Sequence, residues 1–142
     1  MSVVFDDHLL RDVLSGDVSR DLARSLTGTG HATTNLYLYR LSRSVVAAAG
    51  GALTGSWSHE ERTALGRRLV NLPDEIAVVP MRELTLRMAE IASAYRVSTL
   101  GAEAVAAAEH LGASLCVWEG DDGPGIRAAA KAVSVAYRTV TR

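Results

Sequence analysis

The chain has one cysteine, Cys116, set in an apolar run. A lone thiol allows no disulfide framework within the chain, and a reducing compartment fits. No apolar run approaches the roughly 18 residues of a membrane span. Nor does a charged n-region with an apolar stretch behind it open the sequence, where Asp6 and Asp7 intervene. A soluble cytoplasmic protein is the expectation. Neither sign of charge prevails: 15 Lys and Arg stand against 16 Asp and Glu, for a net charge of −1. Nucleic-acid contact would therefore need a local basic patch. Thr27-Gly28-Thr29-Gly30 lacks the spacing and trailing Lys-Ser or Lys-Thr of a phosphate loop, and reads as a turn. His8, His31, His59 and His110 share no ligand spacing, which argues against zinc. No glycine-flanked serine marks a strand-to-helix nucleophile.

What is present is the make-up of a folded domain. With 142 residues, 48% of them hydrophobic and 22% charged, the chain can bury one substantial core, and residues 1–142 are expected to form a single domain. Short apolar runs alternate with helical periodicity. Ser2–Phe5, Glu75–Val79, Ser114–Trp118 and Tyr137–Val140 read as strands, with a brief extended piece at Ala32-Thr33-Thr34. Leu9, Leu10, Val13 and Leu14 share one helical face, and Asp17 suits the N-cap of a second helix carrying Val18, Leu22 and Leu26. A long helix should run from Asn35 to about Ala49, closed by Gly50-Gly51. Ser58-His59-Glu60-Glu61 has the form of a capping box, and that helix should stop at Pro73. Met81–Tyr95 and a helix capped by Ser98 or Thr99 follow, then one from Ile126 after the Gly123-Pro124-Gly125 turn. This alternation predicts a three-layer α/β sandwich with a mainly parallel sheet.

Two strands end in acids: Val3-Val4-Phe5 in Asp6-Asp7, and Leu115-Cys116-Val117-Trp118 in Glu119-Gly120-Asp121-Asp122. Open α/β sheets gather polar sites at the carboxyl ends of their strands, so the two clusters suggest a divalent-metal centre. In such an Asp-Asp pair the second acid is more often the helix cap, leaving Asp6 as the ligand.

The strand ending in Asp6 and the helix behind it resemble the opening of a PIN domain. So does the alanine-rich run Ala104–Gly112, which ends in Leu111-Gly112-Ala113 before a strand and an acidic turn. The resemblance covers both ends of the chain and, less closely, Thr33–Leu41. It implies a parallel sheet, clustered acids, Mg2+ or Mn2+ and RNA cleavage. Small bacterial members resemble VapC-type toxins, which dimerise and are silenced by an antitoxin. Position by position, Asp6 matches the first acid, Glu119 the fourth and Asp121 the next acidic position. Arg40 stands where the second acid is expected. The third falls on Gly101, with Glu103 the nearest carboxylate. The implied active site is Asp6, Glu103, Glu119 and Asp121, with Asp6, Glu119 and Asp121 on the metal and Arg40 and Arg43 on substrate phosphates. The competing expectation is a silent binding or regulatory module in which Arg40 takes the place of the cation, paired to Asp6 or Glu119. A flavodoxin-like nucleotide-binding protein is a third reading, disfavoured by the missing glycine-rich loop at the first strand.

Overall fold

The structure, a computed structural model, describes residues 1–47 and 51–142. Five strands form one sheet: β1 (Ser2–Phe5), β2 (Gly30–Thr33), β3 (Ile76–Val78), β4 (Ser114–Trp118) and β5 (Tyr137–Val140). Their order is β3-β2-β1-β4-β5 and every pairing is parallel. Parallel strands need crossovers, and helices supply them on both faces. Strand side chains alternate accordingly. Val3, Phe5 and Cys116 join one core with Leu9 and Leu10 of α1 (Asp7–Ser15), Leu22 of α2 (Arg20–Leu26) and Leu65 of α5 (His59–Val70). Val4, Leu115 and Val117 join the other, under α6 (Thr85–Ala94), α7 (Thr99–Leu111) and α8 (Pro124–Ala132). The chain is thus an α/β sandwich of three layers. No helix among the described residues is long and apolar enough to cross a membrane.

Local chemistry sets the helix ends. Asp6 N-caps α1 and Gly16, at φ 80°, closes it in the left-handed conformation that favours glycine. Ser19, not Asp17, caps α2, because its hydroxyl accepts from Leu22 N–H. Ser58 and Glu61 form the expected capping box on α5. The Met81–Tyr95 segment is not one helix: a short 3-10 turn, Met81–Glu83, precedes α6, and Leu84 between them is buried. The long helix α3 is described over Asn35–Val46 with Ala47 as its C-cap. Its expected extension through Ala48 and Ala49 to Gly50 lies outside the described residues. Gly51, expected in the glycine pair that closes the long helix, instead opens a single turn, α4 (Gly51–Thr54). α8 begins at Pro124, whose fixed φ and missing N–H suit a first helical position, two residues earlier than expected.

The strand order carries the functional consequence. From β1 the chain steps outward to β2 and β3, then returns to place β4 on the other side of β1. The direction of winding reverses between β1 and β4, and a crevice opens there beyond the carboxyl ends of both strands. Asp6-Asp7 and the turn Glu119–Asp121 lie at those two ends.

Candidate functional site

Phe5 pairs in register with Cys116, which brings the residues after β1 and β4 side by side. Asp6 is fully buried, and both its oxygens are held: Oδ1 accepts from Leu9 N–H at 2.9 Å and Oδ2 from Trp118 N–H at 2.9 Å. One carboxylate therefore caps α1 and pins the start of the β4 turn. That leaves Asp7, in the first turn of α1, free to face the crevice, the reverse of the usual division within an Asp-Asp pair.

Four residues, Asp6, Asp7, His8 and Asp121, each place one donor atom within 4.8 Å of all the others, so the cluster could hold a metal ion. His8 Nδ1 lies 2.6 Å from Asp121 Oδ2 and 3.3 Å from Asp7 Oδ1. Neither contact has the angular geometry of a hydrogen bond, so Nδ1, Asp121 Oδ2 and Asp7 Oδ2 are buried without a directional partner. Arg40 Nη1 stands 3.1 Å from Asp7 Oδ2, with Asp7 fully buried and the arginine side chain 44% exposed.

Burial penalises the ionised form of Asp6, and the nearby Asp7 charge adds to this. Backbone N–H groups oppose the shift only in part, and the carboxyl is pushed up to about 8. Burial alone would lower His8, but the contacts with Asp121 and Asp7 outweigh it and raise the imidazole to about 9. Asp121 is held below the usual carboxylate range, since His8 more than offsets its burial. In the protein alone the crevice balances its own charge, with protonated groups and one guanidinium against the carboxylates.

Aromatic packing fixes the imidazole. The Trp118 ring lies 4.4 Å from the His8 ring, and the Arg142 guanidinium sits 5.4 Å from the Trp118 ring centre while its Nε donates to Asp12 at 2.7 Å. Beneath the indole is Gly120, where an added Cβ would come within 2.4 Å of the ring.

The remaining site residues of the sequence reading lie around this cluster. Glu103 is fully buried in α7, but its carboxylate closes the N-terminus of α3. It accepts from Asn35 N–H at 3.0 Å, Leu36 N–H at 2.8 Å and Asn35 Nδ2 at 2.7 Å. Glu119 is exposed on the turn and is not one of the four converging donors. A cleft of about 280 Å³ opens beside the cluster, lined by Tyr37, Arg40, Arg96, Gly101 and Asp121. Gly101 thus reaches the cleft where the resemblance expects an acid, yet a Cβ there would lie 2.5 Å from Val97 Cγ2, so any side chain requires Val97 to move. Arg40 pairs with Asp7 rather than with Asp6 or Glu119. Arg43 is exposed one turn along α3. Among the other arginines, Arg62 donates to Ala47 O and Arg68 to Leu14 O.

Sequence reasoning passed over Asp7 and His8. The signal was the junction itself. When a strand ends in Asp-Asp and the first acid caps the helix, the next two side chains project from the first helical turn at the strand's end. The histidines were set aside for sharing no ligand spacing, although a single imidazole completes a carboxylate set without a second histidine.

No family model matches the chain. No curated protein matches it either. Among solved structures it resembles a chain of a toxin-antitoxin complex from Klebsiella pneumoniae, with a TM-score of 0.60 over 88% of this chain and 92% of that one. At 14% identity the likeness is one of fold.

Proposed function

We propose that residues 1–142 form a single PIN-like domain of the toxin type that holds a divalent cation at the β1–β4 crevice and hydrolyses RNA. The observation that carries this is the convergence of Asp6, Asp7, His8 and Asp121 within 4.8 Å, with three of their atoms buried and lacking directional partners. The fold likeness to a chain from a toxin-antitoxin complex supports it. Mg2+ or Mn2+ at such a site neutralises phosphate charge and lowers the pKa of the attacking water.

The chain's own groups do the positioning. Two backbone N–H groups fix the Asp6 carboxylate from both sides, so it meets an ion in one orientation. Asp7 is aimed by the first turn of α1, and Asp121 by the short turn after β4. Arg40, half-exposed and lining the cleft, is placed to turn from Asp7 to a substrate phosphate, with Arg43 one turn behind it. Glu103, by anchoring the start of α3, sets where Arg40 stands. Glu119 is assigned the rim of the crevice. An antitoxin is the expected protein partner. A second copy is expected against α3, where Tyr39 is 59% and Val46 82% exposed. The cytoplasm is the expected location.

The test is RNA cleavage by the purified chain beside Asp6→Asn, with and without Mn2+. Cleavage that is equal in both proteins would reject the assignment.

A second reading rests on the Arg40–Asp7 pair at 3.1 Å. A permanent cation already inside an acidic crevice is what a silent binding or regulatory module would hold in place of a metal. It predicts no rise in melting temperature with Mg2+ or Mn2+. A clear cation-dependent rise rejects it.

A further inference from the structure

We propose that His8 is a ligand of this centre, and that the site therefore prefers a nitrogen-accepting transition ion such as Zn2+ or Co2+ over Mg2+. The inference rests on the metal reading above and goes past it, to the residue and the ion.

The geometry points to the imidazole in three ways. Its side chain is only 5% exposed, so Nδ1 lies inside the crevice and away from water. That atom is 2.6 Å and 3.3 Å from two carboxylate oxygens, yet is oriented to hydrogen-bond neither. An imidazole nitrogen closely surrounded by oxygens without directional bonds has the arrangement of a donor converging with others on a common centre. The separations also suit a small coordination sphere. Ligands at about 2.0–2.2 Å around a tetrahedral ion are about 3.4 Å apart. The observed contacts of 2.6 and 3.3 Å and the 4.8 Å limit of the whole set bracket that edge. Asp121, partly exposed on a three-residue turn next to Gly120, is the donor able to give the roughly 0.8 Å by which its contact with Nδ1 falls short of that edge.

The ring cannot swing away. Trp118 packs against it at 4.4 Å, and Arg142 holds that indole from beyond. Asp7 and Arg40 complete the surroundings: the guanidinium, 3.1 Å from Asp7 Oδ2 and half-exposed, is the positive charge that gives way when a cation enters. Chemistry then decides the ion. Mg2+ takes oxygen ligands in a near-ideal octahedron and gains little from an imidazole. Zn2+ and Co2+ bind imidazole nitrogen well, and Zn2+ accepts three carboxylates and one histidine in four-coordination.

The experiment uses the full chain stripped with EDTA and titrated with Zn2+, Co2+, Mn2+ and Mg2+. It is followed by melting temperature, and by nitrogen modulation in the pulsed electron paramagnetic resonance of the Mn2+ form. The expected result is binding of Zn2+ or Co2+ more than tenfold tighter than Mg2+, with imidazole-nitrogen modulation present. In His8→Gln the modulation should vanish and the tenfold preference should collapse. Because the spectroscopic signal is read on the unaltered protein, a variant that fails to fold leaves the test standing. Cations that bind with no nitrogen modulation and no preference would overturn the role of His8 while sparing the metal reading. If no cation raises the melting temperature, both fall.

Discussion

The N-termini of α1 and α3 are each closed by a fully buried carboxylate, Asp6 in one case and Glu103 in the other. Asp6 accepts two backbone N–H groups, and Glu103 accepts two backbone N–H groups and one side-chain amide. The difference lies in their neighbours. Asp6 shares its crevice with Asp7 and Asp121, is pushed up to about 8, and sits where the sheet changes winding direction. Glu103 faces a helix end and an asparagine, with nothing of like charge among its bonded partners. The same functional group is thus a candidate for chemistry at one helix start and a structural anchor at the other. A buried acid reveals its role through the charges around it rather than through its burial.

The largest effect should come from removing the anchor. Glu103→Ala leaves two backbone donors unpaired at the start of α3 and takes one of its two acceptors from the Asn35 amide, which keeps Val79 O; each buried orphan costs about 1–3 kcal/mol. A loss of about 4 kcal/mol, read as a fall of roughly 12 °C in Tm, is expected, with cation affinity retained by the folded protein. Loss of cation binding with little change in Tm would reverse the roles assigned to the two carboxylates.

Asp6→Asn should do the opposite. The amide keeps the shape of a carboxyl that burial already holds largely protonated at neutral pH, and sets one N–H against a backbone donor, for a net cost within about 1.5 kcal/mol. The cation-dependent rise in Tm should disappear. If that rise survives, Asp6 is only a cap.

Arg40→Gln removes the guanidinium beside Asp7. Under the nuclease reading, cation affinity should rise several-fold while RNA cleavage falls, because a competitor and a phosphate ligand are lost together. Titration calorimetry and cleavage assays separate the two. Unchanged affinity would mean that Arg40 does not compete with the ion.

A third carboxylate marks the small end of the scale. Glu109 on α7 pairs in bidentate fashion with Arg87 of α6, at 2.8 and 2.9 Å, near the surface. The guanidinium holds it below the ordinary carboxylate range. A lowered pKa contributes stability above the unfolded value and loses it as pH falls through the folded one. With half-exposed partners, Glu109→Gln should cost about 0.5 kcal/mol at pH 7, and the difference from wild type should close as pH drops below about 4.

Most of the architecture could be read before the structure. Apolar runs bounded by Gly, Pro and acids marked the strands, and Ser58 and Ser98 announced their helices. What escaped depended on tertiary competition. Ser19 displaced Asp17 as a cap because its hydroxyl also donates to Thr141 O, a partner 122 residues away. Leu84 breaks the Met81–Tyr95 segment because it is drawn into the core below the sheet. The candidate site was legible as a place and less so as a set of residues. Strand-end acids pointed to the crevice, and Asp6 and Asp121 are two of the four residues that converge there. The parts played by Asp7, His8 and Glu103 depend on which carboxylate caps which helix. Sequence spacing leaves that open, because Glu103 reaches Asn35 across 68 positions.

Gly120 has no functional group, yet it decides where one stands. With only hydrogen beneath it, the indole of Trp118 lies flat enough to serve as the wall against which His8 rests. An alanine there would tilt that wall and misdirect the nitrogen while every charged residue kept its identity. Inventories of ionisable side chains would overlook such a position, although the aim of the imidazole is set from it.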